Sequence, residues 1–206
     1  MTTKPYAKHK GQRVAVFVDV QNMYYSAKNL YGAKVNFNQI LKAAVAGRVL
    51  VRAFAYVIKA DIEPEQAFYT ALEKQGFEVR AKDLQVFYGG AKKGDWDVGL
   101  CMDVIRTLDL VDVVVIVSGD GDYRDLLDYV HANGRRTEVI AFGKTTSGKL
   151  LEESDDFLDL DEQKDEFLLG EARPRYRPRL EPLSNPPPAA RLPAPDAVGN
   201  SGQAGS

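Results

Sequence analysis

The sequence predicts an α/β fold, a three-layer α/β/α sandwich around a mainly parallel central sheet, on three observations. Val113 to Val117 is an unbroken run of five β-branched residues, the pattern of a strand buried on both faces. Val14 to Val18 is a second continuous apolar run. Between and after these runs, stretches of helical period alternate with further short apolar runs, and such alternation implies parallel strands covered by helices on both sides.

The elements follow in order. Val14–Val18 is the first expected strand, with a helix near Met23–Leu30 after it. A second helix is expected over Phe37–Ala46, with Asn36 as its N-cap. Val49–Ile58 reads as a strand. Pro64–Gln75 reads as a helix that opens on proline and stops at Gly76. Phe77–Ala81 and Leu84–Tyr88 read as one interrupted strand or a short pair. Asp97–Leu108 is a helix, Val113–Val117 a strand, Tyr123–Ala132 a helix ending near Gly134, and Thr137–Phe142 the last core strand. A short helix over Gly148–Glu153 and the segment Phe157–Leu160 close the series. There is no internal repeat.

Composition bounds the function. The 206 residues suit one domain with appendages. We expect a basic N-terminal arm over residues 1–12, a domain over 13–165 and a disordered tail over 166–206. Eight of the ten prolines follow Gly170, in a segment without apolar periodicity that cannot offset its ordering entropy. The stretch RPRYRPR, Arg173 to Arg179, is either an RNA-contacting arm or, the favoured reading, a soluble linker. The net charge of −2 hides a segregation, because residues 1–13 carry +4 and residues 171–206 carry +2. The acidic body does not present the broad basic face of a duplex-binding protein. No apolar run is long enough to span a bilayer, and the first 13 residues lack the core of a secretory signal. The single cysteine, Cys101, fits a reducing compartment, so a cytoplasmic location without membrane attachment is expected.

The chemistry concentrates where strands end. Ser118, Gly119, Asp120, Gly121 and Asp122 follow one apolar run, and Asp19, Val20, Gln21 and Asn22 follow the other. Ligands of open α/β sheets sit outside the carboxyl ends of the strands, and carboxylates gathered there repel unless protonated or bridged by a cation. An acid-lined metal site is the reading that follows. Asp97 shares a helical stripe with Val98, Cys101, Val104, Ile105 and Leu108, with Leu100 at its margin. It is either a first-turn acid favoured by the helix dipole or a metal ligand. Asp95 and Asp103 fall off that stripe and read as solvated or capping acids. Lys92 or Lys93 could neutralise a phosphate beside Asp97.

Taken together, FVDVQN (Phe17–Asn22), KKGDWDVGLCMD (Lys92–Asp103) and VSGDGDYRDL (Val117–Leu126) resemble the three motifs of NYN domains, in the LabA-like branch of the PIN-like nuclease superfamily. The tract from Ala141 to Leu160 resembles the end of such domains, so the resemblance spans roughly residues 13–161. It implies a PIN-like fold with sheet order 3-2-1-4-5 and Mg²⁺- or Mn²⁺-dependent cleavage of RNA. Matched by position, Asp19, Asp97, Asp120 and Asp122 are the catalytic and metal-ligating acids, and Asn22, Lys93 and Ser118 the substrate-binding residues. The middle motif carries an extra residue before Asp97, and the helical stripe favours Asp97 over Asp95.

On this reading Asp19, Asp97 and Asp120 hold the ion, Asp122 a second ion or the water, and Asn22 or Ser118 a phosphate oxygen. Gly119 and Gly121 let the backbone turn sharply and the substrate approach. The expected partner is RNA, single-stranded or structured, and a homodimer is left open. Two other functions stay in view: a non-catalytic RNA-binding regulator, and a metal-dependent phosphohydrolase acting on a small nucleotide. With His9 and His131 the only histidines, a catalytic triad or a histidine-rich zinc site fits poorly, and no Walker or dinucleotide loop is present. FGKTTSGK, Phe142 to Lys149, reads as a loop bordering the site with an N-cap near Ser147. Tyr24, Tyr25, Tyr31, Tyr88 and Trp96 flank the motifs, mostly as core or rim packing, with base stacking as the alternative.

Overall fold

The two apolar runs that announce the sheet lie side by side at its centre. Strand β1 (Arg13–Asp19) pairs in parallel with β2 (Val49–Lys59) on one side and with Val113–Val117 on the other. Beyond β2 lies β3 (Glu78–Asp83). Val113–Val117 is β4, followed outward by β5 (Arg136–Ala141) and β6 (Asp156–Asp159), every pairing parallel. The order is therefore 3-2-1-4-5, as expected, with β6 added at the far edge. The computed structural model describes residues 8–59, 64–83, 85–86, 92–93 and 96–170. Expectations for Leu84, Tyr88, Asp95 and RPRYRPR lie outside them.

Why the strands read as unbroken apolar runs is plain from the layers. Along β1, Val14, Val16 and Val18 face one core, which holds Met23, Ile40, Leu72 and Phe167. Ala15 and Phe17 face the other, which holds Leu100, Val104, Leu127 and Leu150. Helices α1 (Val20–Tyr31), α2 (Phe37–Val45) and α3 (Pro64–Lys74) supply the first layer. The second comes from α4 (Asp97–Thr107), α5 (Arg124–Ala132) and α6 (Gly148–Glu153). Asn36 caps α2 by accepting the N–H of Gln39. Ser147 holds the N-cap position of α6 without a side-chain bond.

The described fold exceeds the expected domain at both ends. Phe167, in the one-turn helix α7 (Lys164–Phe167), is buried, and Leu168–Leu169 pairs antiparallel with Lys34–Val35, so ordered packing continues past residue 165 to Gly170. At the other end Lys8 pairs with Glu138 at 3.1 Å and Asp156 at 3.3 Å. Residues 8–12 are thus tied to the domain rather than forming a free arm. The expected interrupted strand separates into β3 and a short antiparallel pair, Gln85–Val86 with Lys92–Lys93. No described helix is long and apolar enough to cross a membrane.

Candidate active site

The sheet's winding reverses between β1 and β4, and Val18 stands opposite Val117. Asp19 and Ser118 therefore leave the sheet together, in the crevice where open α/β sheets place their ligands. Asp19 is the N-cap of α1 and accepts the N–H of Asn22 at 3.0 Å. The Asn22 side-chain carbonyl in turn accepts the N–H of Gly119 at 3.0 Å. Asn22 thus clamps the first motif to the third.

The second turn is equally constrained. Asp120 caps the 3₁₀ turn Gly121–Tyr123 and accepts the N–H of Asp122 at 3.0 Å. Ser118 is fully buried, its hydroxyl accepting the N–H of Asp120 at 3.2 Å. The two glycines are needed for packing, not for substrate approach or positive φ. A Cβ on Gly119 would stand 2.9 Å from Thr146 Oγ1 and 3.1 Å from its Cα, and one on Gly121 2.7 Å from Ser147 Oγ. The FGKTTSGK loop fills that space, and the Ser147 N–H bonds the Gly119 carbonyl at 3.0 Å.

Helix α4 brings the third acid, on a stripe phased differently from expectation. Leu100, Val104 and Leu108 face the sheet, while Val98 is 74% exposed and Ile105 39%. Asp97 precedes Leu100 by three residues and Val104 by seven, so it stays on the inward face at the end nearest the crevice. Before it, Trp96 donates its indole N–H to the Val57 carbonyl at 2.8 Å and packs against Tyr56. Asp103 is not solvated as expected. It accepts from Tyr56 at 3.2 Å and pairs with Arg80 at 3.4 Å and Arg106 at 3.3 Å. Cys101 is a free, half-buried thiol whose pKa is raised by burial and by Asp97.

Tyr123, which the sequence reading passed over as a helix residue, joins the acids. Its ring is fully buried, and its hydroxyl lies 3.1 Å from Asp97 and 3.4 Å from Asp19. A phenol has one proton to donate, and burial beside two carboxylates raises its pKa, keeping that proton in place. The Asp19 carboxyl is also pushed up, by burial first and then by the like charges of Asp97 and Asp120, against the opposing hydrogen bonds from Asn22 and Tyr123. Asp19, Asp97 and Asp120 line one cavity of about 340 Å³ with Asn22, Tyr56 and Trp96, and among the described residues no lysine or arginine lines it.

The structure thus gathers Asp19, Asn22, Asp97 and Asp120 on one cavity and leaves Ser118 and Asp122 off its wall, Asp122 on the exposed surface. Lys93 lies in the short strand pair, and its side chain falls outside the description. His131 bonds Glu153, Asp155 and Thr137 and does not line the cavity. As a donor set, three carboxylates suit a hard divalent ion. Among the described residues, however, no three His, Cys, Asp or Glu side chains are gathered into a ready-made cage. The carboxylates would have to draw together around an ion.

A parallel sheet ordered 3-2-1-4-5-6, covered on both faces and carrying acids at its switch point, defines a PIN-like α/β sandwich. The NYN domain family model matches residues 13–161, and the chain belongs to that family, which lies in the PIN-like nuclease superfamily. It is similar to the low amplitude and bright protein LabA of Synechococcus elongatus, 26% identical over 159 residues that cover 73% of this chain and 84% of that one. It is also similar to the crystal structure of a protein of unknown function from Vibrio parahaemolyticus. That match has a TM-score of 0.72 at 33% identity, covering 80% of this chain and all of the other.

Proposed function

We propose that this protein is a metal-dependent endoribonuclease whose site is built on Asp19, Asp97 and Asp120. The observation that carries the reading is the group of acids gathered on the switch-point cavity. Asp19, Asp97 and Asp120 line one cavity, and burial together with the like charges of Asp97 and Asp120 raises the pKa of Asp19. Like charges held this close favour either protonation or a bound cation. Mg²⁺ or Mn²⁺ bound there would lower the pKa of a water and stabilise charge on a phosphodiester. Asn22 fixes the distance between the two turns that present Asp19 and Asp120. Tyr123 keeps its one hydroxyl proton within reach of both Asp97 and Asp19. Trp96 and Tyr56 also line the cavity.

The test compares wild type with Asp120→Asn on a labelled single-stranded RNA in Mn²⁺, Mg²⁺ or EDTA. Internal cuts that need the ion and fall by at least a hundredfold in the variant are expected. The thermal transition should stay close to wild type, because asparagine still caps the 3₁₀ turn. The ion alone should also raise the transition of wild type and not of the variant, since a ligand that binds only the folded state stabilises it. Cleavage retained by Asp120→Asn, or ion-independent binding without any cleavage, overturns the proposal. The latter outcome would favour a regulatory RNA-binding protein.

A further inference from the structure

The cavity does not end at the acids. It runs along one face of α1, where Gln21, Tyr25, Ser26 and Asn29 form its wall, and Thr145 lines it as well. Those positions recur at helical spacing, so α1 presents a continuous edge to the cavity. Ser26 and Thr145 are engaged with each other through a 3.1 Å hydroxyl contact, which ties the loop to the helix. The side-chain amides of Gln21 and Asn29 are different. No hydrogen bond engages either amide among the described residues. The Tyr25 ring is 53% exposed and is held by an edge-to-face contact with Tyr24 at 5.3 Å.

We infer that this α1 wall is a nucleobase subsite, where Tyr25 stacks a base and Gln21 and Asn29 read its edge. The inference rests on the nucleic-acid reading of the same cavity, and three physical points select a base over a phosphate. With three aspartates and no cation among the described lining residues, these side chains disfavour an anion that brings no counter-ion. A neutral planar group pays no such penalty. Carboxamides pair donor and acceptor side by side, the arrangement that matches the edge of an unpaired base. An exposed tyrosine offers a stacking face that accepts every base. The division of labour follows: Tyr25 supplies affinity common to all bases, whereas Gln21 and Asn29 supply preference among them. A partner of this kind must be single-stranded at that position, because a paired base has its edge occupied.

The experiment uses the full chain and short single-stranded methylphosphonate homopolymers of adenine, cytosine or thymine, followed by fluorescence anisotropy in EDTA. These probes carry bases without backbone charge, so they read the α1 wall and not the metal chemistry. One base should bind best. Tyr25→Ala should weaken every probe by about tenfold, the scale of one lost base stack. Tyr129→Ala, which removes an exposed tyrosine of α5, should not. Gln21→Ala and Asn29→Ala should compress the difference between best and worst base while keeping most of the common affinity. Asn29 is exposed, so its variant stays interpretable if Gln21→Ala is poorly folded. Absence of binding to all probes overturns the inference, as does an unchanged ranking in both amide variants. Either result leaves Asp120-dependent cleavage standing. Base preference lost with the amides, in a protein that cuts nothing, supports the subsite and removes the nuclease.

Discussion

Two groups of carboxylates on one sheet meet opposite treatment. Glu138, in β5, is buried and fully matched: Arg48 grips it with two bonds of 2.6 and 2.8 Å, and Lys8 adds a third contact at 3.1 Å. Arg48 also donates to the carbonyls of Ala44 and Val45 at the end of α2, where a cation offsets the helix dipole. Asp19, at the carboxyl end of β1, is part-buried and faces further acids. A fold that buries charge for its own stability compensates it, as at Glu138. Acids whose like charges raise the pKa of Asp19 persist where something other than stability selects them, which is why the β1–β4 crevice reads as the site.

The largest expected effect tests the compensated side. Arg48→Met leaves Glu138 buried with only Lys8, and breaking a buried pair from one side costs about 3–5 kcal/mol. Urea denaturation should show that loss, and the double variant Arg48→Met/Glu138→Leu should recover most of it. A loss below about 1 kcal/mol in the single variant would remove the contrast. On the other side the sign reverses. Asp19→Asn keeps the cap on α1, because asparagine is as good an N-cap as aspartate, and it deletes a charge the cavity disfavours. Stability in EDTA at neutral pH should rise by about 0.5–2 kcal/mol while cleavage is lost.

The pH dependence follows from the raised pKa of Asp19. The folded state holds this proton to higher pH than the unfolded chain does. As pH climbs above the usual aspartate range, ionisation of Asp19 therefore lowers stability until it is complete. Asp19→Asn should flatten that fall, measured as urea midpoints across the acid-to-neutral range. A wild-type profile that rises over the same window, and is unaltered by the variant, contradicts the raised pKa of Asp19.

How much of this was legible in the sequence depends on whether the signal was local. Val113–Val117 matches the expected strand to the residue, because a run buried on both faces has no competing reading. Asp19 and Asp120 were legible for the same reason, standing where such runs stop. Helix α4 was legible as a helix, but its inward face was not, since Val98 and Ile105 form an apolar stripe beside the one through Leu100 and Val104, and periodicity alone does not say which faces the sheet. The glycines of SGDGD announced a tight turn, but Thr146 and Ser147 are about 26 residues away in sequence, and their approach depends on the tertiary fold. Lys8 looked like part of a free basic arm because Glu138, its partner, is equally remote.

The smallest effect concerns Tyr123, whose one visible signal was an aromatic directly after the acid–glycine turn. Its hydroxyl reaches Asp97 at 3.1 Å and Asp19 at 3.4 Å, so one neutral donor lies within reach of two acids that repel each other. Tyr123→Phe keeps the buried ring and removes only that donor. A net hydrogen bond in a protein contributes about 0.5–1.5 kcal/mol, so the expected loss of stability in EDTA is of that order, far below that of Arg48→Met. The informative readout is the response to Mn²⁺. If the hydroxyl holds Asp97 and Asp19 in register for an ion, the thermal shift on adding Mn²⁺ should shrink in Tyr123→Phe and vanish in Asp19→Asn. If the hydroxyl only relieves repulsion between the acids, an added cation takes over that task. The variant would then gain more from Mn²⁺ than wild type does. The direction of that one difference decides whether Tyr123 orders the acid group or merely substitutes for its ion.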